Sequence, residues 1–422
     1  MKKKSKVFLF SVCVFCGLAG CSNKETEENV VTVCTEESVK MHLDTIAKLW
    51  EKQNKGTRIE FLVLPPNTAE NEIKLSELRT EIMSGEGPDI FILSGINPMA
   101  SEKQNVLFPN PEKIMYTDTF LPLDEYIQDA KYMNLNNWNS TIMKAGQTEE
   151  GQVILPLYYE YGLYAYPGEM GEMIRDFPDN WNDLMNTENE MLQCDLWGTM
   201  AIQFRYAVGK IADYEQEKLL LSEDMLTEQL EKAFVFSEAG SKLTEEIQSA
   251  ENMNKVLAGP NLQNTVPLLK GEKDKTHALW PVKNIDSGIT ANVTLYAAVN
   301  RNTEQPEEAF SFLDTLLSDE IMTGQGMKEN DIVYGAGFLA EKDQFPVHEN
   351  ALEKKLEDIN AQDANQIREM NKQIETVRFY SDIEKTLADS YMEAAHFKPE
   401  NHMTMKDFAK KRYDLMKMQL QE

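Results

Sequence analysis

Three short β-rich runs alternate with two helical patterns near the start of the chain, and this alternation constrains the fold more than any other feature. The runs are Val30–Cys34, Ile59–Leu64 and Asp89–Leu93. Apolar residues at helical spacing follow the first run, between positions 39 and 50, and the second, between positions 73 and 82. A β-α-β-α-β order with short connections predicts a parallel sheet with right-handed crossovers.

The carboxyl ends of these strands form the edge where an open parallel sheet binds its ligands. Polar residues follow each strand there, at Thr35–Glu37, Pro66–Thr68 and Ser94–Gly95. Glu36 and Asn67 are therefore candidate ligand residues. Each also has a structural interpretation, because acids are favoured at a helix N-terminus and asparagine is a common helix cap.

The N-terminus has the pattern of an export signal. Four lysines within the first six residues precede an apolar run, Val7–Leu18, that is too short to span a bilayer as a stable helix. The run ends in Leu18-Ala19-Gly20-Cys21, which resembles the lipobox of bacterial lipoproteins. The resemblance implies that residues 1–20 are a signal peptide, that Cys21 carries lipid, and that residues 21–29 are a linker. An ordinary signal peptide with a chance cysteine is the alternative.

Charge and size exclude several classes of protein. The 422 residues carry a net charge of −28, and removal of residues 1–20 takes away four lysines and no acids, which leaves −32. Such an acidic surface repels phosphate backbones, so we expect no nucleic-acid partner. About 400 residues exceed what one hydrophobic core supports, which favours two lobes. No second apolar run is long enough to span a membrane, so we expect membrane contact through the lipid anchor alone.

Cysteine and histidine usage gives no sign of a metal site or a disulfide framework. Outside the leader and Cys21, the cysteines are Cys34 and Cys194, which we interpret as two buried thiols rather than a disulfide. The five histidines are isolated along the chain. We expect neither a metal nor a cofactor.

Further along the chain the secondary-structure pattern is less regular. Strands are predicted at Trp197–Ile202, His277–Val282 and Val293–Val299, and an amphipathic helix at Pro306–Leu317. The region from Ala351 to Glu422 is expected to be almost wholly helical.

Several short segments, in this order and spacing, resemble the extracellular solute-binding proteins of ABC importers, in their large sugar-binding group. Besides the lipobox and the β-α-β start, the matching segments are Gly87–Ile90 (GPDI), Leu121–Asp124, Leu155–Tyr158, Asn180–Leu184, Gln305–Leu313, Leu317–Glu320 and the closing helix Phe408–Glu422. Where many relatives have a Gly-Ser-Trp-like turn, this chain reads Ala258-Gly259-Pro260-Asn261. An aromatic stacking residue is therefore not expected at that turn.

The resemblance implies an α/β fold of the periplasmic-binding-protein type, class II, with two lobes, a ligand cleft between them and a helical C-terminal region. We expect lobe 1 to comprise residues 29–155 and 292–333, and lobe 2 residues 166–291 and 334–422. The resemblance also implies hinge closure around a solute and delivery to the permease subunits of an ABC transporter. The solute is expected to be a mono- or oligosaccharide, or another small polar molecule.

A sugar site needs flat aromatic faces together with side chains that donate to and accept from hydroxyl groups. Tyr158, Tyr159, Glu160 and Tyr161 supply both at the expected first crossover between lobes. The resemblance implies that Glu160 faces the ligand, as the matching glutamate does in the maltose-type branch. The other candidates are Trp280 as a stacking platform and, by their alternating spacing, Gln203 and Arg205.

Two other functions remain open at this point. A surface glycoside hydrolase needs a pair of carboxylates, which a chain with 70 acidic residues always offers by chance. No Gly-x-Ser-x-Gly or His-Glu-x-x-His motif supports an enzyme, so we expect none. A sensor or scaffold lipoprotein could use the same two-lobe fold without a permease. In either of the non-enzymatic cases the protein is expected to be exported and held by its lipid at the outer face of the membrane.

Overall fold

The structure is a computed structural model of the chain. It describes residues 29–64, 69–96, 106–171, 174, 176–248, 265–336, 344–398 and 403–421. The strands are β1 Asn29–Thr35, β2 Thr57–Val63, β3 Ile90–Ser94, β4 Gln147–Thr148, β5 Gly151–Gln152, β6 Leu155–Tyr161, β7 Leu163–Pro167, β8 Ala212–Asp213, β9 Lys218–Leu219, β10 His277–Pro281, β11 Ile289–Val299, β12 Met327–Glu329, β13 Ile332–Tyr334, β14 Phe345–Pro346 and β15 Ile374–Phe379.

The helices surround these strands. They are α1 Glu37–Gln53, α2 Ala69–Met83, α3 Pro111–Ile114, α4 Asp124–Gln128, α5 Ser140–Met143, α6 Gly168–Gly171, α7 Trp181–Met185, α8 Glu190–Gln203, α9 Glu223–Gln248, α10 Thr265–Gly271, α11 Pro306–Leu316, α12 Asp319–Met322, α13 Glu349–Leu356, α14 Ala361–Asn371, α15 Asp382–Ala395 and α16 Met405–Gln421. Short 3₁₀ turns lie at Leu135–Asn137, Lys144–Gly146 and Phe204–Tyr206.

The main sheet has seven strands in the order β14-β6-β11-β3-β1-β2, and β15 also pairs with β11. β1 is parallel to both β2 and β3, as the alternating pattern predicts. β11 runs antiparallel to β3 and β6, and parallel to β15. Every residue of β11 is buried, because strands flank it and helices cover both faces. The first hydrophobic core is built on this sheet and on helices such as α1 and α11.

A second hydrophobic core lies around α7, α8, α9, α15 and α16. It packs against one face of the two-stranded sheet formed by β7 and β10, through Tyr164 and Tyr166. The opposite face of that sheet, at Leu163, Ala165 and Leu279, belongs to the first core. Two cores in an α/β chain are the basis of the two lobes.

Most predicted elements are confirmed, but one predicted strand is wrong and one observed strand was not expected. The run Trp197–Ile202, expected as a strand, forms part of helix α8. Its six apolar-rich residues fit either structure, and periodicity cannot separate a buried helix segment from a strand. Within the expected helical region 351–422, residues 374–379 form strand β15 of the main sheet.

The two cores do not divide the chain at the expected lobe boundaries. Residues 345–379 lie in the stretch expected for lobe 2, but β14, α13, α14 and β15 contribute side chains to the first core. Because β15 pairs in parallel with the first half of β11, the chain passes from the first core to the second only after Phe379. The connection at residues 379–382 is therefore a third crossing, besides those at β6–β7 and before β11.

Candidate functional site

The carboxyl ends of β1 and β3 are joined by Glu36. Its Oε1 accepts a hydrogen bond of 2.9 Å from the backbone N–H of Ser94. Gly95, the next residue, lies against the third crossing, since a Cβ there would be 3.2 Å from the Cβ of Tyr380. Glu36 thus has a structural role at the predicted edge, and Gly95 lets the third crossing approach it.

The tyrosines of β6 do not offer ring faces to a ligand, contrary to the sequence prediction. Tyr159 and Tyr161 stack on each other with 6.4 Å between ring centroids, and both contact Phe345. Tyr158 is fully buried on the opposite face of the strand. β6 is an interior strand between β11 and β14, the side chains on both of its faces are buried except for Glu160, and the three rings are part of the first core.

Glu160 is the one residue of β6 that is only partly buried. Its Oε1 lies 3.1 Å from Nη1 of Arg205, and it also accepts a hydrogen bond from the Tyr380 hydroxyl. The Glu160 side chain is 22% exposed, whereas that of Arg205 is only 4% exposed. The carboxylate is therefore the solvent-facing member of a buried polar group.

Arg205 is held by the 3₁₀ turn that follows α8. Its guanidinium lies over the ring of Tyr206, 4.9 Å from the centroid, and 5.9 Å from that of Tyr380. Burial alone would lower the pKa of Arg205, but the two tyrosines and Glu160 outweigh it and raise that pKa. The buried Nε of Arg205 has no hydrogen-bond partner among the described residues. One charged donor of this group is thus unused.

A second arginine fixes the turn that carries Arg205. Arg378 of β15 donates from Nε to Asn292 Oδ1 at 2.8 Å and from Nη1 to the carbonyl of Gly209 at 2.8 Å. Its Nη2 donates to the carbonyl of Arg205. The side chain is 1% exposed, and these bonds compensate the burial of its charge. Arg378 therefore ties β15, β11 and the turn into one unit.

We call Glu160, Arg205, Tyr206 and Tyr380 the crossover cluster, because they come from the first and third crossings and from the turn of the second core. Burial raises the pKa of Tyr206 and of Tyr380, so both phenols stay protonated. The cluster combines a carboxylate acceptor with guanidinium and phenol groups that can donate. This is the combination that binds neighbouring hydroxyl groups of a polar solute.

The remaining predicted residues lie elsewhere. Trp280, in β10, stacks on Phe177 at 5.2 Å and an interplanar angle of 4°, away from the cluster. Gln203 is the last residue of α8, but its side chain is outside the described part of the structure. Cys21 and Asn67 are also outside the described residues.

Tyr206 and Tyr380 are the members of the cluster that sequence reasoning missed. Tyr206 directly follows Arg205, which was already a candidate, so its position beside Arg205 was the signal available in the sequence. Tyr380 follows β15, which the expectation of a wholly helical C-terminal region concealed.

The described residues contain no group of three or more His, Cys, Asp or Glu placed to hold a metal ion. Nor does any helix among them have the length and apolar character needed to cross a membrane. Cys34 is a free, buried thiol, and burial raises its pKa.

Three solved structures show how widely this fold is shared. A protein described as a de novo designed cysteine esterase has a TM-score of 0.60 at 13% identity, and the match covers 94% of this chain and 98% of that one. A periplasmic oligogalacturonide binding protein from Yersinia enterocolitica has a TM-score of 0.56 at 12% identity, covering 93% and 99%. A cyclic α-maltosyl-1,6-maltose binding protein from Arthrobacter globiformis has 0.55 at 13%, covering 93% and 98%. At these identities the likeness establishes the fold alone.

No curated protein matches the chain at a significant level. The sequence profile of one family, however, described as bacterial extracellular solute-binding protein, matches residues 42–323. That span begins within α1 and includes β2, β3, the crossings at β6–β7 and before β11, and Arg205. With more than half of its length matched and the two-lobe α/β fold in agreement, the chain belongs to the bacterial extracellular solute-binding protein family.

Proposed function

We propose that this protein captures a mono- or oligosaccharide, or another small polar solute, between its lobes and delivers it to the permease of an ABC transporter. Membership in the family establishes that this chain is a solute-binding protein and that it is exported. The observation that carries the proposal is the crossover cluster, where polar groups from both cores meet and Glu160 faces solvent. A group placed where the chain crosses between lobes can contact a solute in the closed form.

The charge of the cluster favours an uncharged, hydroxyl-rich solute. The Glu160 carboxylate balances the Arg205 guanidinium at 3.1 Å, so the pair has no net charge to attract an anion or a cation. Two of the proteins with this fold are described as binding oligogalacturonide and a cyclic maltosyl-maltose, which are carbohydrates. These descriptions support the carbohydrate class for the present chain.

We further propose that lobe 1 comprises residues 29–161 and 289–379, and lobe 2 residues 162–288 and 380–421. This division follows the three crossings. It also follows the two cores, except that α10 and one face of the β7–β10 sheet contribute side chains to the first core. The small β7–β10 sheet contributes to both cores and would be the part of lobe 2 nearest the hinge.

The experiment is a thermal-shift screen of residues 22–422 against mono- and oligosaccharides, with peptides and amino acids for comparison. A ligand at one hundred times its dissociation constant adds about 2.7 kcal/mol to the free energy of unfolding. We expect a raised melting temperature with one sugar series. A shift with peptides or amino acids alone would contradict the proposed cargo, and no shift with any solute would favour a sensor or scaffold.

Glu160→Gln then tests the site. Loss of the carboxylate should raise the dissociation constant for the sugar at least tenfold. This corresponds to a loss of about 1.4 kcal/mol of binding free energy. The variant also loses stability, because Arg205 keeps its charge without its partner, so binding is measured by calorimetry well below the melting temperature. Tyr161→Phe is the matched control on the same strand, since its buried hydroxyl has no partner among the described residues. Equal losses in both variants would contradict a role for Glu160.

We also propose that Cys21 carries the lipid that anchors the protein outside the cell membrane. Two or more acyl chains hold a protein to a bilayer stably, at about 0.8 kcal/mol for each buried methylene. In a bacterial host, the Cys21→Ser variant should appear in the medium and should not incorporate labelled palmitate, whereas the unchanged chain stays with the membrane. Equal membrane retention of both would contradict the anchor.

A further inference from the structure

A cavity of about 970 Å³ lies apart from the crossover cluster. One wall is formed by β10 and the segment 176–179, and the other by helix α14. We call it the α14 groove. None of the four cluster residues lines it. Trp280 pairs with Tyr164 of β7, four residues after Glu160 along the chain.

The β10 wall is apolar and rigid. Trp280 and Phe177 are parallel, with 5.2 Å between ring centroids and 4° between planes. Behind them Tyr166 contacts Trp280 at 5.7 Å, and its hydroxyl bonds to the carboxylate of Asp195. Two flat rings held in this way present a preformed apolar surface of the kind that contacts the C–H face of a sugar ring.

The α14 wall is polar. The helix buries Ala364, Ile367 and Met370 in the first core. Beside this buried face, five polar residues at helical spacing line the groove, and we call them the polar stripe: Gln362, Asn365, Gln366, Glu369 and Gln373.

One of these residues fixes the distance between the walls. Gln366 accepts from the backbone N–H of Leu279 at 3.1 Å and donates to the carbonyl of His277 at 2.9 Å. The polar stripe and the ring pair are thus held facing each other across the groove.

The other four residues of the polar stripe are exposed. Asn365 Oδ1 accepts from Arg368, Glu369 Oε1 accepts from Lys372, and Gln373 Nε2 donates to the carbonyl of Glu369. The other polar atoms of these exposed side chains can bind hydroxyl groups.

The charge of the groove differs from that of the crossover cluster. Asp176, Asp179, Glu369 and Lys283 line it. Lys283 lies 3.9 Å from Asp179, and Glu369 accepts from Lys372 on its own helix, while Asp176 is exposed. Acids therefore outnumber bases in the lining, which disfavours an anion and favours a ligand with an amine.

From these walls we propose that the α14 groove is a second binding site, for a sugar that is uncharged or carries an amino group. The volume is that of a small-molecule site, and an aromatic floor with a few fixed polar groups is the usual composition of one. One wall comes from the first core and the other from the second, so the bound sugar contacts both cores.

The test is an NMR titration of the ¹⁵N-labelled chain that follows the indole N–H of Trp280, identified by its loss in Trp280→Phe. The probes are D-glucosamine, D-glucose and D-glucuronate, which share a ring shape and differ in charge. We expect the resonance to move most with glucosamine, less with glucose, and not with glucuronate. No movement with any probe, or the strongest with glucuronate, would overturn the proposal.

Variants separate this site from the crossover cluster. Glu369→Gln should weaken glucosamine binding several-fold and glucose binding much less, because glutamine keeps a hydroxyl-binding oxygen but loses the charge. Glu320→Gln, which removes an exposed carboxylate outside the groove, should alter neither. Glu160→Gln should leave the Trp280 response intact. If Glu160→Gln abolished the response of Trp280, the response would come from binding at the crossover cluster. That result would overturn the second site, whether or not the cluster itself binds sugar.

Discussion

At the scale of single residues, the charges buried near the third crossing determine how the fold depends on pH. Glu384, in the first turn of α15, is 3% exposed, and its Oε2 has no hydrogen-bond partner among the described residues. Burial raises the pKa of this carboxyl to about 7, against the opposing effect of Arg378, and Glu112 raises it further. The folded state therefore holds a proton on Glu384 that the unfolded chain releases at lower pH.

This gives a pH-dependent prediction for Glu384→Gln. A folded-state pKa above the unfolded value means that stability is lost as pH rises between about 4.5 and 7. The glutamine variant has no such loss, so at pH 8 its free energy of unfolding should exceed that of the unchanged chain by up to about 3 kcal/mol. Near pH 4.5 the two should agree. Urea denaturation across this range measures the difference.

If the free energies of unfolding of Glu384→Gln and of the unchanged chain differ by the same amount at every pH, the result would contradict a raised pKa of Glu384 in the folded state. Asp195, whose pKa burial raises to about 6, adds a slope of the same sign to both chains. Comparison of the variant with the unchanged chain therefore isolates Glu384.

At the scale of elements, the crossing from β6 to β7 depends on close packing at Gly162. A Cβ at this position would lie 2.6 Å from Cβ of Val282 and 2.7 Å from Cδ2 of Tyr206. Gly162→Ala should lower the free energy of unfolding by about 1–3 kcal/mol and weaken sugar binding, because Tyr206 must move. Denaturant unfolding and calorimetry measure the two effects.

Gly271→Ala is the control for this substitution. Gly271 is the last residue of α10, and a Cβ there meets no atom within 4 Å. The free energy of unfolding of the Gly271→Ala variant should change by less than about 1 kcal/mol, and its affinity for sugar should not change. An unaffected Gly162→Ala variant would contradict the proposed tight crossing.

The same scale shows what sequence can and cannot predict. The parallel start β1-α1-β2-α2-β3 follows from local periodicity, because each element has its own apolar pattern. β15 has no such pattern, since its stability depends on pairing with β11, some 85 residues earlier, and on the bonds of Arg378. The tyrosines of β6 were placed on the right strand, but their burial depends on β14, which supplies Phe345.

At the scale of the whole molecule, the two cores and three crossings explain how a solute could be enclosed. Glu160 and Tyr380 belong to crossings, and Arg205 and Tyr206 belong to a turn packed in the second core. The resemblance implied a role for Glu160, and alternating spacing made Arg205 a candidate, so both residues were named from the sequence. The sequence did not link them. It could not predict their contact, because 45 residues and a change of core separate them.

The central claim is that a carbohydrate binds between the lobes and closes them, and small-angle X-ray scattering tests it most directly. Residues 22–422 would be measured alone, with a mixture of neutral mono- and oligosaccharides, and with a mixture of amino acids and peptides. We predict a smaller radius of gyration with the saccharides only, and no such change in Glu160→Gln. A radius unchanged by the saccharides, or reduced only by the amino acids and peptides, would contradict the claim.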